Sequence, residues 1–483
     1  MSDCVPLQAV APRRAAKLRA KRWRIASCVP LQAVASRRGV VLFTAAVVMA
    51  IIGACGSGSP GSPGSPAAVT PPVVSEPGFA VTPYPDPGSV VHADPVYRLD
   101  GNRITEGSGL GTGFINQVTT KDLSLDDVPT WITGASTPAG DVWVVALADG
   151  TTVGYRVPVG GQPVEIDIVG DRLNPGQPPM LAIQGNSVRL ATTPANALSS
   201  GVPVYLNQDR TAYVDNLQRF TVLEADGTLW RPDLEVLPDT RMVQVSPEKV
   251  LLLAGPTNRY PHSALGDNLE ATSVVAVTVG VNELETIYRS GDDVIETIAP
   301  LLADVDGDGI DDVVLTVSND AGIRIVVVSS TGGGVVATSD PTDRLLGWRQ
   351  LIAVGPLGPD GGTEIAEILH PSTDGSVRFL KRNGPGLDVV AQKVGYRSHE
   401  FGTRNLEQAL VVDADRDGHP EVVVPTLDRQ SMAGVRHAPD GAAEMWVRPL
   451  GGTLATNIAA LTRPDGTLSL AAGTREGSLR IWQ

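Results

Sequence analysis

Two nine-residue stretches carry carboxylates at a spacing that suits a hard cation. Asp304-Val305-Asp306-Gly307-Asp308-Gly309-Ile310-Asp311-Asp312 places acids at loop positions 1, 3, 5 and 9. Alternate side chains on so tight a turn converge on one point, and the glycine at position 6 supplies the conformation that lets the chain wrap. The backbone carbonyl of Ile310, at position 7, adds a neutral oxygen, while Asp311 is out of phase and faces solvent. Asp413-Ala414-Asp415-Arg416-Asp417-Gly418-His419-Pro420-Glu421 repeats the pattern, with Glu421 at position 9. His419 offers its carbonyl and turns its imidazole to solvent. An all-oxygen nest of this charge suits Ca²⁺, which takes about six to eight oxygens in flexible geometry. Two calcium ions are expected, both structural.

Weaker copies of the loop occur at 356–364 (PLGPDGGTE) and 461–469 (LTRPDGTLS). In the first, Pro356 and Gly358 replace the leading carboxylates and only Asp360 and Glu364 remain, so no metal is expected there. The second keeps Asp465 alone. The first positions of the four loops lie 52, 57 and 48 residues apart, and a still weaker copy, DRLNPGQPP, stands at 171–179.

The elements that must position these loops are strands. Short β-favouring runs such as DVWVVALADGTTVGYRV (141–157), KVLLLAG (249–255), EVVVPTL (421–427) and LSLAAGTREGSLRIWQ (468–483) are each closed by glycine, asparagine or aspartate. No amphipathic stretch of helical period interrupts them, so the body is all-β. A period near 50 residues with about four strands in each is the unit of a β-propeller. Residues 96–483 then hold seven blades, with six or eight admitted by the same arithmetic. Two β-sandwiches in series would have no reason to reproduce one loop at a fixed period. The last strand, 478–483, is expected to close the ring against sheet elements from the start of the body.

The loops are not EF-hands, because the position-12 glutamate and the following helix are missing and an apolar strand starts at once. They resemble the DxDGDG calcium loops of the FG-GAP/VCBS repeats found in integrin-alpha-type propellers. That resemblance covers about 300–483 well and upstream parts by periodicity alone. It implies that each loop joins the first two strands of a blade and binds one calcium. The ligands it implies are Asp304, Asp306, Asp308 and Asp312, then Asp413, Asp415, Asp417 and Glu421, to which the position-7 carbonyls of Ile310 and His419 are added.

The formal net charge is −15, but nine of the 38 basic residues and one of the 53 acids lie in 1–39. The remainder is strongly acidic, which repels nucleic acid. Residues 40–54 (VVLFTAAVVMAIIGA) are uncharged and too short to span a bilayer comfortably, the length of a signal-peptide core. They end at Ile52-Gly53-Ala54-Cys55, which resembles a bacterial lipobox, and that resemblance implies a lipid on Cys55. The division is therefore 1–54 signal peptide, with an unusually long basic arm, 55–95 lipidated cysteine and Gly/Ser/Pro linker, and 96–483 propeller. The expected location is the extracytoplasmic face of a bacterial membrane. All three cysteines (Cys4, Cys28, Cys55) precede the body, so it forms no disulfide of its own.

Catalytic motifs do not emerge. The six histidines are isolated in sequence, with no HxH or HExxH, and there is no G-x-S-x-G elbow or phosphate-binding loop. Most tryptophans are expected to pack between blades, with one or two free on a loop face to stack on a sugar or peptide. The reading is a tethered, calcium-stabilised module that binds protein or glycan. The competing reading is a carbohydrate-active enzyme, a glycoside hydrolase or polysaccharide lyase, on the same scaffold.

Overall fold

The computed structural model describes residues 90–91, 102–110, 118–198, 202–206, 210–260, 265, 267–342 and 348–483. Cys55 and the whole signal segment lie outside these residues, as do His92 and His262. The described residues form 33 strands and no helix. The all-β expectation is met.

Five separate sheets of four or five strands make the blades. The first holds β4–β7 (Pro129–Thr137, Gly140–Leu147, Thr152–Val157, Val164–Ile166). The next two are β10–β13 (Val204–Leu206, Arg210–Val214, Phe220–Leu223, Leu229–Trp230) and β14–β17 (Val243–Ser246, Lys249–Ala254, Ser273–Thr278, Glu283–Arg289). A fourth is β27–β30 (Leu410–Asp413, Glu421–Pro425, Ser431–Ala438, Gly441–Pro449), with β2 (Ile104–Ser108) added in parallel at its inner edge. In the fifth, β31–β33 (Ala459–Thr462, Leu468–Thr474, Ser478–Trp482) are completed by β3 (Thr120–Ser124).

The expected seven blades, or six or eight, are thereby corrected to five. The remaining strands do not form equal, separate units. Two meanders, β18–β22 (Val294–Ile295, Leu301–Ala303, Asp312–Asn319, Gly322–Val328, Val335–Ser339) and β23–β26 (Arg349–Gly355, Glu364–Leu369, Ser376–Asn383, Gly386–Val394), run into one nine-stranded sheet curled as a half-barrel. Their outer edges meet in parallel, Thr338 opposite Gly386 and Ser339 opposite Leu387. A three-stranded sheet, β1 (Val90–Val91) with β8 (Leu181–Gln184) and β9 (Ser187–Leu190), is separate in its hydrogen bonding and packs Leu181, Val188 and Leu190 against Val142 and Val144 of the first blade. A sequence period counts meanders. It does not reveal which edges join by hydrogen bonds.

Burial explains why the strands read as they do. Inner strands are covered on both faces by neighbouring sheets, so β5, β28 and β32 are buried at every residue and run as continuous apolar segments. Outer strands such as β26 and β30 face solvent on one side, and their burial is broken. The core accordingly lies between sheets. Leu410, Val423 and Trp446 of one blade pack with Leu470 and Trp482 of the next. The last strand pairs with β3 over five residues, from Thr120 opposite Trp482 to Ser124 opposite Ser478, so closure occurs as expected.

Candidate metal centres

The 304–311 loop joins β19 and β20, the second and third strands of the β18–β22 meander, and 414–420 joins the first two strands of its blade, β27 and β28. A short hairpin loop flanked by buried strands must satisfy its own amides, and the carboxylates do so. In the first loop Asp304 accepts from the amides of Gly307 (2.7 Å) and Gly309 (3.0 Å), Asp306 from Asp308, Asp308 from Ile310, and Asp312 from Val305. Ligand atoms of Asp304, Asp306 and Asp312 lie within 4.8 Å of one another. Asp308 is exposed and outside that group, and Asp311 faces solvent. Burial, with the charges of Asp306 and Asp308, raises the Asp312 carboxyl above the usual aspartate range.

The second loop brings four carboxylates together. Asp413, Asp415, Asp417 and Glu421 each place an oxygen within 4.8 Å of the others. Asp413 and Glu421 are buried, at 8 % and 0 % exposure. Oδ2 of Asp413 accepts from Ser108 Oγ (2.7 Å) and the Gly418 amide (3.2 Å), and Oε2 of Glu421 accepts from the Ala414 amide (3.0 Å). Their other oxygens, Asp413 Oδ1 and Glu421 Oε1, are buried with no hydrogen-bond partner. Two orphaned carboxyl oxygens inside an acidic nest are what a cation would satisfy, and the all-oxygen donor set fits Ca²⁺. Burial and the neighbouring Asp415 push the Glu421 carboxyl up to about 9. Burial and Asp417 raise Asp415 as well. Against the burial that would raise it, Arg436 and the His419 amide hold Asp417 low. The His419 side chain is exposed, as expected.

The weak copies have found other partners. In 356–364, Lys381 Nζ lies 3.5 Å from Asp360, and His437 Nδ1 lies 3.0 Å from both oxygens of the buried Glu364. An ammonium and an imidazole thus stand beside the two surviving carboxylates. In 461–469, Asp465 accepts from the amide (3.0 Å) and hydroxyl (2.7 Å) of Thr467. The tripeptides Asp149-Gly150-Thr151 and Asp226-Gly227-Thr228 close on the same pair of bonds. Those are self-sufficient turns.

Elsewhere the structure brings no catalytic set together from the described histidines. His399 is buried edge-on against Trp348 (4.7 Å), His370 lies 3.6 Å from Asp374, and His437 is the Glu364 partner. Trp131, Trp143, Trp348, Trp446 and Trp482 are buried, and Trp230 is half-buried against Phe220, so the packing role expected for most of them holds. Sequence reasoning missed Ser108 and Arg436, which reach the second loop from 305 and 19 residues away along the chain. It also missed Phe401, 68 % exposed at the tip of a turn. Only the repeated loop gave a local signal, and none of these three belongs to it.

A solved structure described as the structure of the Dos1 propeller is similar to this chain with a TM-score of 0.44 and 10 % identity, over 76 % of this chain and 95 % of that one. No model of a known protein family matches the chain, and no curated protein does.

Proposed function

We propose that this chain is a calcium-stabilised propeller of the FG-GAP/VCBS type, held on the extracytoplasmic face of a bacterial membrane by a lipid on Cys55, and that it serves as a protein-binding module. The observation that carries the metal assignment is the pair of buried, partnerless oxygens of Asp413 and Glu421 within the four-carboxylate nest. The 413–421 loop is the tighter site, since it gathers four acids where 304–312 gathers three.

The partner reading rests on Phe401. Its turn is held at the base by Glu400, which pairs with Arg429 and Arg475, while Gly402 takes a φ of 78° that the turn requires. A bare aromatic on a braced turn suits an apolar pocket on a protein. Sugar stacking would favour exposed tryptophan, and the described tryptophans are buried or half-buried.

Calorimetric titration of decalcified protein with CaCl₂ tests the reading. The parent should bind two equivalents and Asp415→Ala one. Zero equivalents in the parent would overturn the metal assignment. A photo-crosslinker at position 401 should trap a discrete protein in cells, and labelling of glycan or lipid alone would defeat the partner class.

A further inference from the structure

The chain segment before the first complete blade crosses the second metal loop and is hydrogen-bonded to it at three points. Ser108 Oγ donates to Asp413 Oδ2 (2.7 Å), the Gly109 amide to the Asp413 carbonyl (2.7 Å), and the Leu110 amide to the Ala414 carbonyl (3.3 Å). On its other side the Ser108 amide donates to the Gly466 carbonyl (2.9 Å), and the Leu468 amide donates to the Gly109 carbonyl (2.8 Å). Residues 108–110 are therefore wedged between the 413–421 loop and the 463–467 turn of the adjacent blade. Arg416 lies over Gly109, where an added Cβ would meet its side chain at 3.0 Å, and Leu110 is fully buried in the core shared by the two blades.

We propose that this strap and the cation of the 413–421 loop bind cooperatively, with Ser108 as the positioning residue for Asp413. The inference rests on the reading of 413–421 as a calcium site. Ser108 and the Gly418 amide both engage Oδ2, so the carboxylate is held with Oδ1 left for the metal. Without a cation, four crowded acids push apart and the Asp413 end of the strap loses its fixed acceptor. With one, the carboxylate is immobilised and the strap is pinned to the ring. Coupling of this kind is reciprocal: whatever the cation adds to strap docking, the docked strap adds to cation affinity. The 304–312 loop has no strap bond to its carboxylates among the described residues and serves as the internal control.

Amide hydrogen exchange of the full chain, read at Ser108, Gly109 and Leu110 in saturating calcium and in chelator, tests this directly. Calcium should slow exchange there about tenfold or more, and Asp415→Ala should abolish the slowing. Ser108→Ala should weaken the 413–421 site by about tenfold, the usual effect of losing an outer-shell partner, and leave 304–312 unchanged. Ser108→Thr, which keeps the hydroxyl, should restore affinity. If Asp415→Ala removes one equivalent of calcium while strap exchange and the Ser108→Ala affinity stay at parental values, the coupling is wrong and the metal site stands. If Asp415→Ala removes none, the metal assignment and the coupling fall together.

Discussion

Glu421 is fully buried and leaves one oxygen without a partner. Burial first, then the charge of Asp415, holds its carboxyl protonated up to about pH 9 when no metal is present. In the unfolded chain a glutamate titrates near about 4.3. Between those values the folded, metal-free protein keeps a proton that the unfolded chain has lost, so its stability falls as pH rises through this window. Calcium needs the ionised form. Its binding near neutral pH should therefore release about one proton from this loop, and affinity should climb by up to roughly tenfold per pH unit until about pH 9. Titrations in buffers of different ionisation heat measure the release, and Glu421→Gln should remove it. A binding heat independent of buffer would show that the residue is already ionised. His399 gives the opposite sign. Burial, reinforced by Arg103, depresses its imidazole to about 3. The stability it confers is complete above about pH 6.5 and is lost as pH falls toward 3, at about 1.4 kcal/mol per unit. His399→Gln should flatten the acid limb of stability against pH, and an unchanged slope would assign that limb to other groups.

Among the elements, the closing strand β33 is the most exposed to test. It is hydrogen-bonded on both edges, to β32 and to β3, and it buries Trp482 at 1 % exposure. Deleting 477–483 opens both pairings and removes an aromatic from the core between blades, so the whole propeller should melt earlier in a single transition. Trp482→Ala alone should cost about 3–5 kcal/mol. A deletion variant that melts like the parent would show that the ring is closed by other contacts. This closure was legible in the sequence because GSLRIWQ is a plain strand pattern at the end of a repeat. The strand class and the acidic loops were equally legible, since both depend on local residue type and spacing. The blade count was not. It turns on Thr338 meeting Gly386 across an outer edge, and on β9 being followed by irregular chain instead of further strands of its sheet. Neither leaves a mark on periodicity. Ser108 was illegible for the same reason, because its partner is 305 residues distant.

Across the molecule, equivalent loops in neighbouring meanders answer the same electrostatic problem in different ways. A strand alternates its side chains between faces, so adjacent residues of β29 serve different sheets. Arg436 turns to Asp417 in the metal loop of its own blade, and His437 turns to Glu364 in the half-barrel sheet. His437 also stacks on Phe379 at 5.9 Å, which fixes the ring where the buried carboxylate needs it. Two loops gather carboxylates that suit an external cation, and the third has an ammonium and an imidazole of the chain beside its acids. The consequence for stability is specific. Saturating calcium should stabilise the parent by about 2.7 kcal/mol for each site when free ion is a hundred times the dissociation constant. Asp415→Ala should lose one such increment and differ less from the parent in chelator. His437→Ala should instead cost about 1–3 kcal/mol with or without calcium, because it leaves the buried Glu364 carboxyl without its imidazole partner. Asp360→Ala breaks an exposed pair with Lys381 and an exposed hydrogen bond from the Gly362 amide, and should cost about 1 kcal/mol in either condition. Thermal unfolding of these three variants with calcium and with chelator separates the cases. Rescue of His437→Ala by calcium would mean that the 356–364 loop is itself a metal site from which the imidazole has excluded the ion.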